Sequence, residues 1–230
     1  LLDDGKIHLK IVEKAENVTE NGGENTQEKR YFAKVLWGGL LKSRKSAALP
    51  GAKIYPPTLT NSDLANIKIA KEMGVTGVMQ PFVRDHRDLE CVKKTLQEAG
   101  AEDIRLFAKI ENMDGVRKLE KLLPAADEIV IARGDLGNAV HLWDLPGVQR
   151  QISEKCRAAG KPFMVVTQML ASMERSPVPT RAEVNDIFHA VMDGAASIMV
   201  TGETAVGDYP VEVIRYMVNT VRSAEKEENR

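Results

Sequence analysis

The sequence is poor in cysteine, nearly neutral in charge and without a long apolar run. Only Cys91 and Cys156 occur among its 230 residues, which excludes a disulfide framework and a CxxC metal pair. A formal net charge of −1 removes the general electrostatic argument for a nucleic-acid or anionic membrane partner, and no apolar run approaches the ~20 residues that span a bilayer. We therefore predict a cytoplasmic protein that binds neither nucleic acid nor membrane.

The composition is that of an ordinary globular protein, and the pattern of apolar and polar residues changes along the chain. Hydrophobic residues make up 43% and charged residues 28%, which excludes a collagen-like or wholly disordered chain. The alternating apolar and polar side chains of 6–14 predict a half-buried strand, 30–39 predict its partner strand, and the polar stretch 17–30 predicts an exposed turn between them. We assign 1–50 to the remnant of a small β domain and 51–230 to a second domain. Because the chain starts at Leu1 and not at Met, we expect the natural N-terminus to lie upstream.

Beyond residue 51, short apolar segments alternate with amphipathic ones, a pattern typical of βα units around a parallel sheet. The predicted strands are 77–82, 104–110, 128–133, 162–167 and 197–201. The predicted helices are 62–73, 86–99, 114–123, 147–159, 181–193 and 210–228. Thr180 and Glu183 predict a capping box. Five glycines are predicted at helix ends, where a left-handed residue is useful: Gly74, Gly100, Gly115, Gly160 and Gly194.

Polar side chains follow the predicted strands at their carboxyl ends, where the functional residues of α/β proteins lie. Glu111 and Asp135 follow consecutive strands, whose axes lie about 5 Å apart in a sheet. Two carboxylates with no His or Cys beside them suit Mg²⁺ or Mn²⁺ better than zinc. Lys109 shares the strand face of Glu111, so its ammonium could neutralise a phosphoryl group or stabilise an enolate.

Gly134, Thr167 and Thr201 complete the candidate site. Gly134 lets backbone amides approach an anion such as a carboxylate, and the two hydroxyls could order a water molecule or relay a proton. Each candidate also has a purely structural interpretation, because acids favour helix N-termini, a single lysine often serves in a salt bridge, and threonine favours strands. The side chains by themselves leave both interpretations open.

Longer motifs resemble one enzyme family in their order along the chain. They are Lys109-Ile110-Glu111-Asn112, Ala132-Arg133-Gly134-Asp135-Leu136-Gly137, Thr167-Gln168-Met169-Leu170-Ala171-Ser172-Met173, Pro179-Thr180-Arg181-Ala182-Glu183 and Gly202-Glu203-Thr204-Ala205. With the shorter matches between them, they cover roughly residues 1–225. In these motifs the chain is similar to pyruvate kinase.

The resemblance implies a TIM-type (β/α)₈ barrel that transfers a phosphoryl group between phosphoenolpyruvate and ADP, giving pyruvate and ATP in a homo-oligomer. Carried over by motif, Glu111 and Asp135 would hold Mg²⁺ or Mn²⁺, and Lys109 would stabilise the transferring phosphoryl group and the enolate. The amides of Gly134 and Asp135 would take the pyruvate carboxylate. Thr167 would line the pocket near the carbon that is protonated.

The chain also departs from the family pattern. Five strands cannot close an eight-stranded barrel, so we expect a partial barrel that lacks the family's first three strands and its C-terminal domain. The expected ligands for K⁺ would lie in those strands, and we expect the 230-residue chain alone to be inactive. Thr201 replaces a Ser but keeps a hydroxyl. The departures at Pro81, Val206 and residues 46–48 bear on nucleotide handling and proton delivery more than on metal binding.

Two other functions remain open at this stage. A lyase or aldolase that forms a Mg²⁺-bound pyruvate enolate could use the same two acids and positive charge. A non-catalytic paralogue could keep metal or pyruvate binding alone.

Overall fold

The computed structural model describes residues 1–3, 5–15, 30–43, 45–52 and 54–228. The chain divides into two compact units, Leu1–Lys53 and Ile54–Arg230. The turn predicted at 17–30 lies outside the described residues, except for residue 30. The assignment of 1–50 and 51–230 to functional domains stays a prediction.

The first unit contains an antiparallel ribbon of β1 (His8–Lys14) and β2 (Tyr31–Trp37). The strands pair from His8↔Trp37 to Lys14↔Tyr31, with two register shifts. The half-burial predicted for the first strand is wrong, because every residue of β1 after His8 is exposed. β2 is present as the predicted partner strand, and all of its residues are exposed, including Trp37. Two strands alone form no layered core, so the apolar side chains of this ribbon stay at the surface.

The second unit contains a five-stranded parallel sheet in the order β3-β4-β5-β6-β7. Its strands are β3 (Gly77–Gln80), β4 (Arg105–Ile110), β5 (Glu128–Ala132), β6 (Phe163–Val166) and β7 (Ser197–Met199). The helices are α1 (Asn61–Ala70), α2 (His86–Glu98), α3 (Met113–Arg117), α4 (Leu119–Leu122), α5 (Arg133–Ala139), α6 (Leu145–Ala158), α7 (Arg181–Met192), α8 (Gly202–Ala205) and α9 (Pro210–Glu228). All five predicted strands are present in sequence order, which confirms the α/β class with a parallel sheet.

Alternating side chains divide this sheet into two faces. Leu106 and Ile110 of β4 lie in the large core that the strands share with the helices. Val130 of β5 and Met164 of β6 belong to a small cluster on the opposite face. Lys109 pairs in register with Val130, so the parity of β4 directs the lysine away from the helical core.

Most helix boundaries follow local sequence signals. The capping box of Thr180 and Glu183 at the start of α7 is confirmed. Four of the five glycines predicted at helix ends have a positive φ: Gly74, Gly100, Gly160 and Gly194.

Within the described part of the chain, no helix is both long enough and apolar enough to cross a membrane.

Two local expectations are wrong, and one helix is not predicted by the sequence. The helix predicted at 114–123 is two short helices, α3 and α4, which meet at Lys118. Gly115 is not a left-handed helix end, because it lies inside α3 with a Cβ position only 2.7 Å from the carbonyl oxygen of Val83. The absence of a side chain at Gly115 lets α3 approach the backbone of the loop after β3. The sequence predicts no helix at 133–139, where the structure has α5.

Candidate active site

Glu111 and Lys109 form an ion pair at the carboxyl end of β4. Lys109 Nζ lies 2.7 Å from Glu111 Oε1. Glu111 is only 3% exposed, and its other oxygen, Oε2, accepts a 2.7 Å hydrogen bond from the backbone N–H of Phe82. A buried carboxylate is costly unless it is paired and hydrogen-bonded. These contacts therefore stabilise the charge of Glu111 and fix its position.

The loop after β3 supplies the backbone group that orients Glu111. Phe82 has a φ of +50°, a left-handed conformation that few non-glycine residues adopt. The next residue, Val83, accepts a 3.1 Å hydrogen bond from Asn112 Nδ2 at its carbonyl oxygen. Asn112 also caps α3, because its Oδ1 accepts a 2.9 Å bond from the Gly115 N–H. The loops after β3 and β4 are thus tied together around the carboxylate.

Asp135 follows the neighbouring strand. β4 and β5 are parallel neighbours in which Ile110 pairs with Ile131, as the sequence predicts. β5 ends at Ala132, and Asp135 lies three residues later in the first turn of α5, partly buried. Glu111 and Asp135 therefore follow adjacent strands at one edge of the sheet. Their pairing on a metal ion stays a prediction.

Thr167 and Gln168 form a strained turn directly after β6. Their φ angles are +83° and +56°, and a positive φ is a genuine outlier for a β-branched residue such as threonine. A Cβ built on Gly134 would lie 3.0 Å from Thr167 Cγ2 and 3.6 Å from Thr167 Oγ1. The fold thus brings two predicted substrate residues, Gly134 and Thr167, into close approach.

Thr201 lies after β7 beside a buried acid. Its backbone N–H donates a 2.8 Å hydrogen bond to Oε2 of Glu203, which is 2% exposed. Glu203 Oε1 accepts a 3.1 Å bond from the Leu170 N–H in the loop after β6. Glu203 therefore connects the loops that carry the two threonines. In the described contacts, Thr201 is tied to this acid and not to the Lys109–Glu111 pair.

Arg133 and Glu203 are site residues that sequence reasoning misses. Both lie in motifs quoted above, but their residue type does not reveal their partners. Arg133 Nη2 donates to the carbonyl oxygen of Thr167 at 2.7 Å, and its Nη1 pairs with Asp186 of α7. For Arg133 a usable signal is its place directly after an apolar strand, where burial of a charge requires a partner; Glu203, four residues after the end of β7, has no such signal.

The oxygen donors at this edge fit a hard divalent cation. Mg²⁺ takes one or two protein carboxylates and completes its coordination with water and substrate oxygens. Glu111 presents a buried, hydrogen-bonded carboxylate, and Asp135, in the first turn of α5 after the adjacent strand, is the candidate for a second one. Among the described residues, no group of three or more His, Cys, Asp and Glu side chains could hold a metal ion. The pair of acids is therefore the candidate metal site.

The buried cysteine is not a candidate nucleophile. Burial raises the pKa of the Cys156 thiol to about 12, which keeps it protonated near neutral pH. The reactive form of cysteine is the thiolate, so this side chain serves the core of α6.

Comparison with known proteins adds an independent finding to this geometry. A family model described as pyruvate kinase, barrel domain, matches residues 1–214. The chain belongs to the pyruvate kinase family. Its five parallel strands are accordingly part of a TIM-type barrel, which confirms the predicted fold class.

Pyruvate kinases from three organisms show the extent of the match. The protein of Bacillus licheniformis is 38% identical over 98% of this chain and 37% of its own length. The protein of Geobacillus stearothermophilus is 39% identical over 94% of this chain and 35% of its own length. The protein of Candida albicans is 40% identical over 86% of this chain and 39% of its own length. The chain thus spans less than half the length of these relatives. The matches do not favour the lyase or non-catalytic alternatives.

Proposed function

We propose that the protein containing this chain transfers a phosphoryl group between phosphoenolpyruvate and ADP, giving pyruvate and ATP. The observation that carries the proposal is the Lys109–Glu111 pair at the carboxyl edge of a pyruvate kinase-family sheet. Catalysis of phosphoryl transfer rests mainly on positioning and electrostatic stabilisation. A lysine held in place by a buried acid meets that requirement.

Glu111 and Asp135 would hold Mg²⁺ or Mn²⁺ from two adjacent loops. When bound, the cation supplies a Lewis acid that polarises substrate oxygens and neutralises phosphoryl charge. The Phe82 N–H orients Glu111, and Lys109, whose Nζ lies 2.7 Å from Glu111 Oε1, would offset the negative charge of the two acids. A requirement for K⁺ rests on the family resemblance alone.

Lys109 would act on the charge that moves during the reaction. The bond between phosphorus and the enol oxygen breaks, its electron pair stays on that oxygen, and a β-phosphate oxygen of ADP bonds to phosphorus. The Lys109 side chain is 26% exposed, so its ammonium lies at the surface of the site and can meet a substrate. It would stabilise the phosphoryl oxygens and then the enolate.

The loops after β5, β6 and β7 would bind the three-carbon acid and complete the reaction. The backbone amides of Gly134 and Asp135 would hold its carboxylate. The enolate carbon must gain a proton to become pyruvate, and the hydroxyls of Thr167 and Thr201 would order or relay that proton. The close approach of Thr167 to Gly134 supports a common pocket for these two functions.

A coupled assay of pyruvate formation from phosphoenolpyruvate, ADP and Mg²⁺, carried out on the full-length protein, tests the proposal. Glu111→Ala and Asp135→Ala are expected to abolish both turnover and the rise in Tm that Mg²⁺ produces. Lys109→Met is expected to keep that rise while kcat falls by about 10²–10³-fold. The exposed Lys94, on α2, provides the control, because Lys94→Met removes the same charge at 77% exposure and should change neither quantity.

Other outcomes would overturn parts of the proposal. Equal Mg²⁺ affinity in the parent and the two acid variants would refute the metal assignment. Turnover of a 2-oxo aldol without ADP would favour a lyase. Stabilisation by pyruvate or oxalate that requires Mg²⁺, without any turnover, would favour a binding protein. The cytoplasmic location and the homo-oligomer stay predictions.

A further inference from the structure

The turn after β6 places two successive non-glycine residues in the left-handed region. Thr167 has a φ of +83° and Gln168 a φ of +56°. Such conformations persist only where surrounding contacts hold them, and they cluster at functional sites. For Thr167 the strain is greatest, because its branched Cβ crowds the backbone at positive φ.

Arg133 supplies contacts that hold this turn. Its Nη2 and Nε donate hydrogen bonds of 2.7 and 3.2 Å to the carbonyl oxygen of Thr167. Nη2 also lies 2.7 Å from the sulfur of Met169, two residues further on. The guanidinium therefore grips both the strained residue and the segment that follows it.

Asp186 fixes the guanidinium from the other side. Arg133 Nη1 lies 2.9 and 2.7 Å from the two carboxylate oxygens of Asp186 in α7. The Arg133 side chain is 13% exposed and that of Asp186 is 34% exposed, so the guanidinium is largely shielded from water while the carboxylate stays partly open to it. The planar guanidinium of an arginine can donate hydrogen bonds to the carboxylate and to the carbonyl oxygen at the same time. The ammonium of a lysine is less suited to this geometry.

The position of Arg133 in the chain links the turn to the substrate pocket. Arg133 directly follows β5 and directly precedes Gly134, where an added Cβ would lie 3.0 Å from Thr167 Cγ2. The same residue therefore anchors the segment that carries the proposed carboxylate-binding amides and the turn that carries the proposed hydroxyl.

We propose that Arg133 is a positioning residue, which holds Thr167 in its left-handed conformation and so sets the Thr167 hydroxyl against Gly134 and Asp135. Asp186 is the second part of this device, because it orients the guanidinium. The inference rests on the proposed function for its catalytic consequence, but the effect of Arg133 on the Thr167 backbone does not.

A double-mutant cycle tests the catalytic consequence. Arg133→Met and Thr167→Ala are each expected to lower kcat at least tenfold. The double variant should be no more than threefold worse than the poorer single variant, because Arg133 acts through the hydroxyl that Thr167→Ala removes. A general structural role would instead multiply the two losses, and that result would overturn the proposal. Asp186→Asn should lower kcat at least threefold and serves if Arg133→Met does not fold.

A crystal structure of the Arg133→Met or Asp186→Asn protein tests the backbone effect without any assay. The expected result is a Thr167 φ that returns to negative values. A Thr167 φ that stays near +83° would overturn the proposal even if activity falls. If the full-length parent protein shows no turnover, the proposed function fails, and this measurement still decides the role of Arg133. The control is Arg150→Met, which removes an exposed arginine of α6 that pairs with Glu154. It should change neither kcat nor the φ angle of Thr167.

Discussion

At the residue scale, Glu183 shows how one acid can organise two segments. Its Oε1 accepts a 2.7 Å hydrogen bond from the Ser172 N–H, and its Oε2 accepts a 2.6 Å bond from the Ser172 hydroxyl. Oε2 also accepts from the N–H and hydroxyl of Thr180, both at 2.8 Å. The residue that closes the capping box of α7 therefore also anchors the short 3₁₀ helix Ala171–Glu174.

These hydrogen bonds predict a pH-dependent contribution to stability. Burial raises the pKa of Glu183, but the bonds from Ser172 and Thr180 outweigh it and hold the pKa below its usual 4.5. The unfolded chain then binds the proton more readily than the folded one, so stability rises with pH. The contribution is fully present above about pH 4.5 and is lost as the pH falls through the lower folded pKa.

Urea unfolding of Glu183→Gln between pH 3 and 7 checks this prediction. We expect a loss of about 1–3 kcal/mol in the free energy of unfolding at pH 7, which shrinks at acid pH as the parent loses the same contribution. Glu154→Gln, at a position 59% exposed, should follow the parent. A difference that stays constant with pH would contradict the mechanism.

The sequence could predict candidate site residues but not what holds them. Glu111, Asp135 and Lys109 stand out because charged side chains at strand ends are conspicuous. The left-handed conformation of Thr167 could not be predicted, because threonine is a poor residue for it. Arg133 and Asp186 are 53 positions apart, and nothing local in the chain indicates that they meet.

At the element scale, α3 is a close neighbour of the loop after β3. Gly115 lies in that helix at a point where a side chain would meet the Val83 carbonyl oxygen at 2.7 Å. Val83 follows Phe82, whose N–H orients Glu111. The missing side chain of Gly115 therefore permits the packing that places the carboxylate.

Gly115→Ala is expected to destabilise the protein by about 1–3 kcal/mol, because the added methyl group overpacks a filled site. Gly147 of α6 is the matched control, since a Cβ there would meet nothing within 4 Å. Gly147→Ala should stabilise by up to about 1 kcal/mol through its better helix propensity. Thermal unfolding of both variants gives the comparison, and equal shifts would show that contact with Val83 is not the cause.

Periodicity accounts for most of the elements that the sequence could predict. The five strands are short and apolar, and they are separated by helical patterns, so their existence and order follow from hydrophobicity alone. α5 could not be recognised, because two glycines in Arg133-Gly134-Asp135-Leu136-Gly137 weaken any helical pattern. The break at Lys118 between α3 and α4 has no proline or glycine to mark it.

At the scale of the whole molecule, the parallel sheet has two open sides. β3 and β7 are its outer strands in the described part of the chain. An outer strand presents unpaired backbone groups that another strand can bind. Met79 of β3 is 39% exposed, so the edge also offers apolar surface.

We expect the 230-residue chain, expressed alone, to self-associate through these edges. Met79→Lys should shift the population towards monomer, because a charged side chain on an edge strand opposes strand pairing. Met192→Lys on α7 is the control, since Met192 has a similar exposure of 38% but lies on a helix. Light scattering after size-exclusion chromatography measures the mass. A monodisperse 25.4 kDa parent would contradict the prediction.

At the amino-terminal ends of the strands, one buried acid contacts residues of two other strands. Glu128 opens β5 and is 5% exposed. Its Oε2 lies 3.1 Å from Arg105 Nη2 of β4, and its Oε1 accepts a 2.5 Å hydrogen bond from the Ser197 hydroxyl of β7. If β7 or β4 slid by one residue, its side chains would swap faces and the acid would lose that partner. The contacts of Glu128 therefore favour the observed strand register, and we expect that register to fix the height at which the proposed site residues follow their strands.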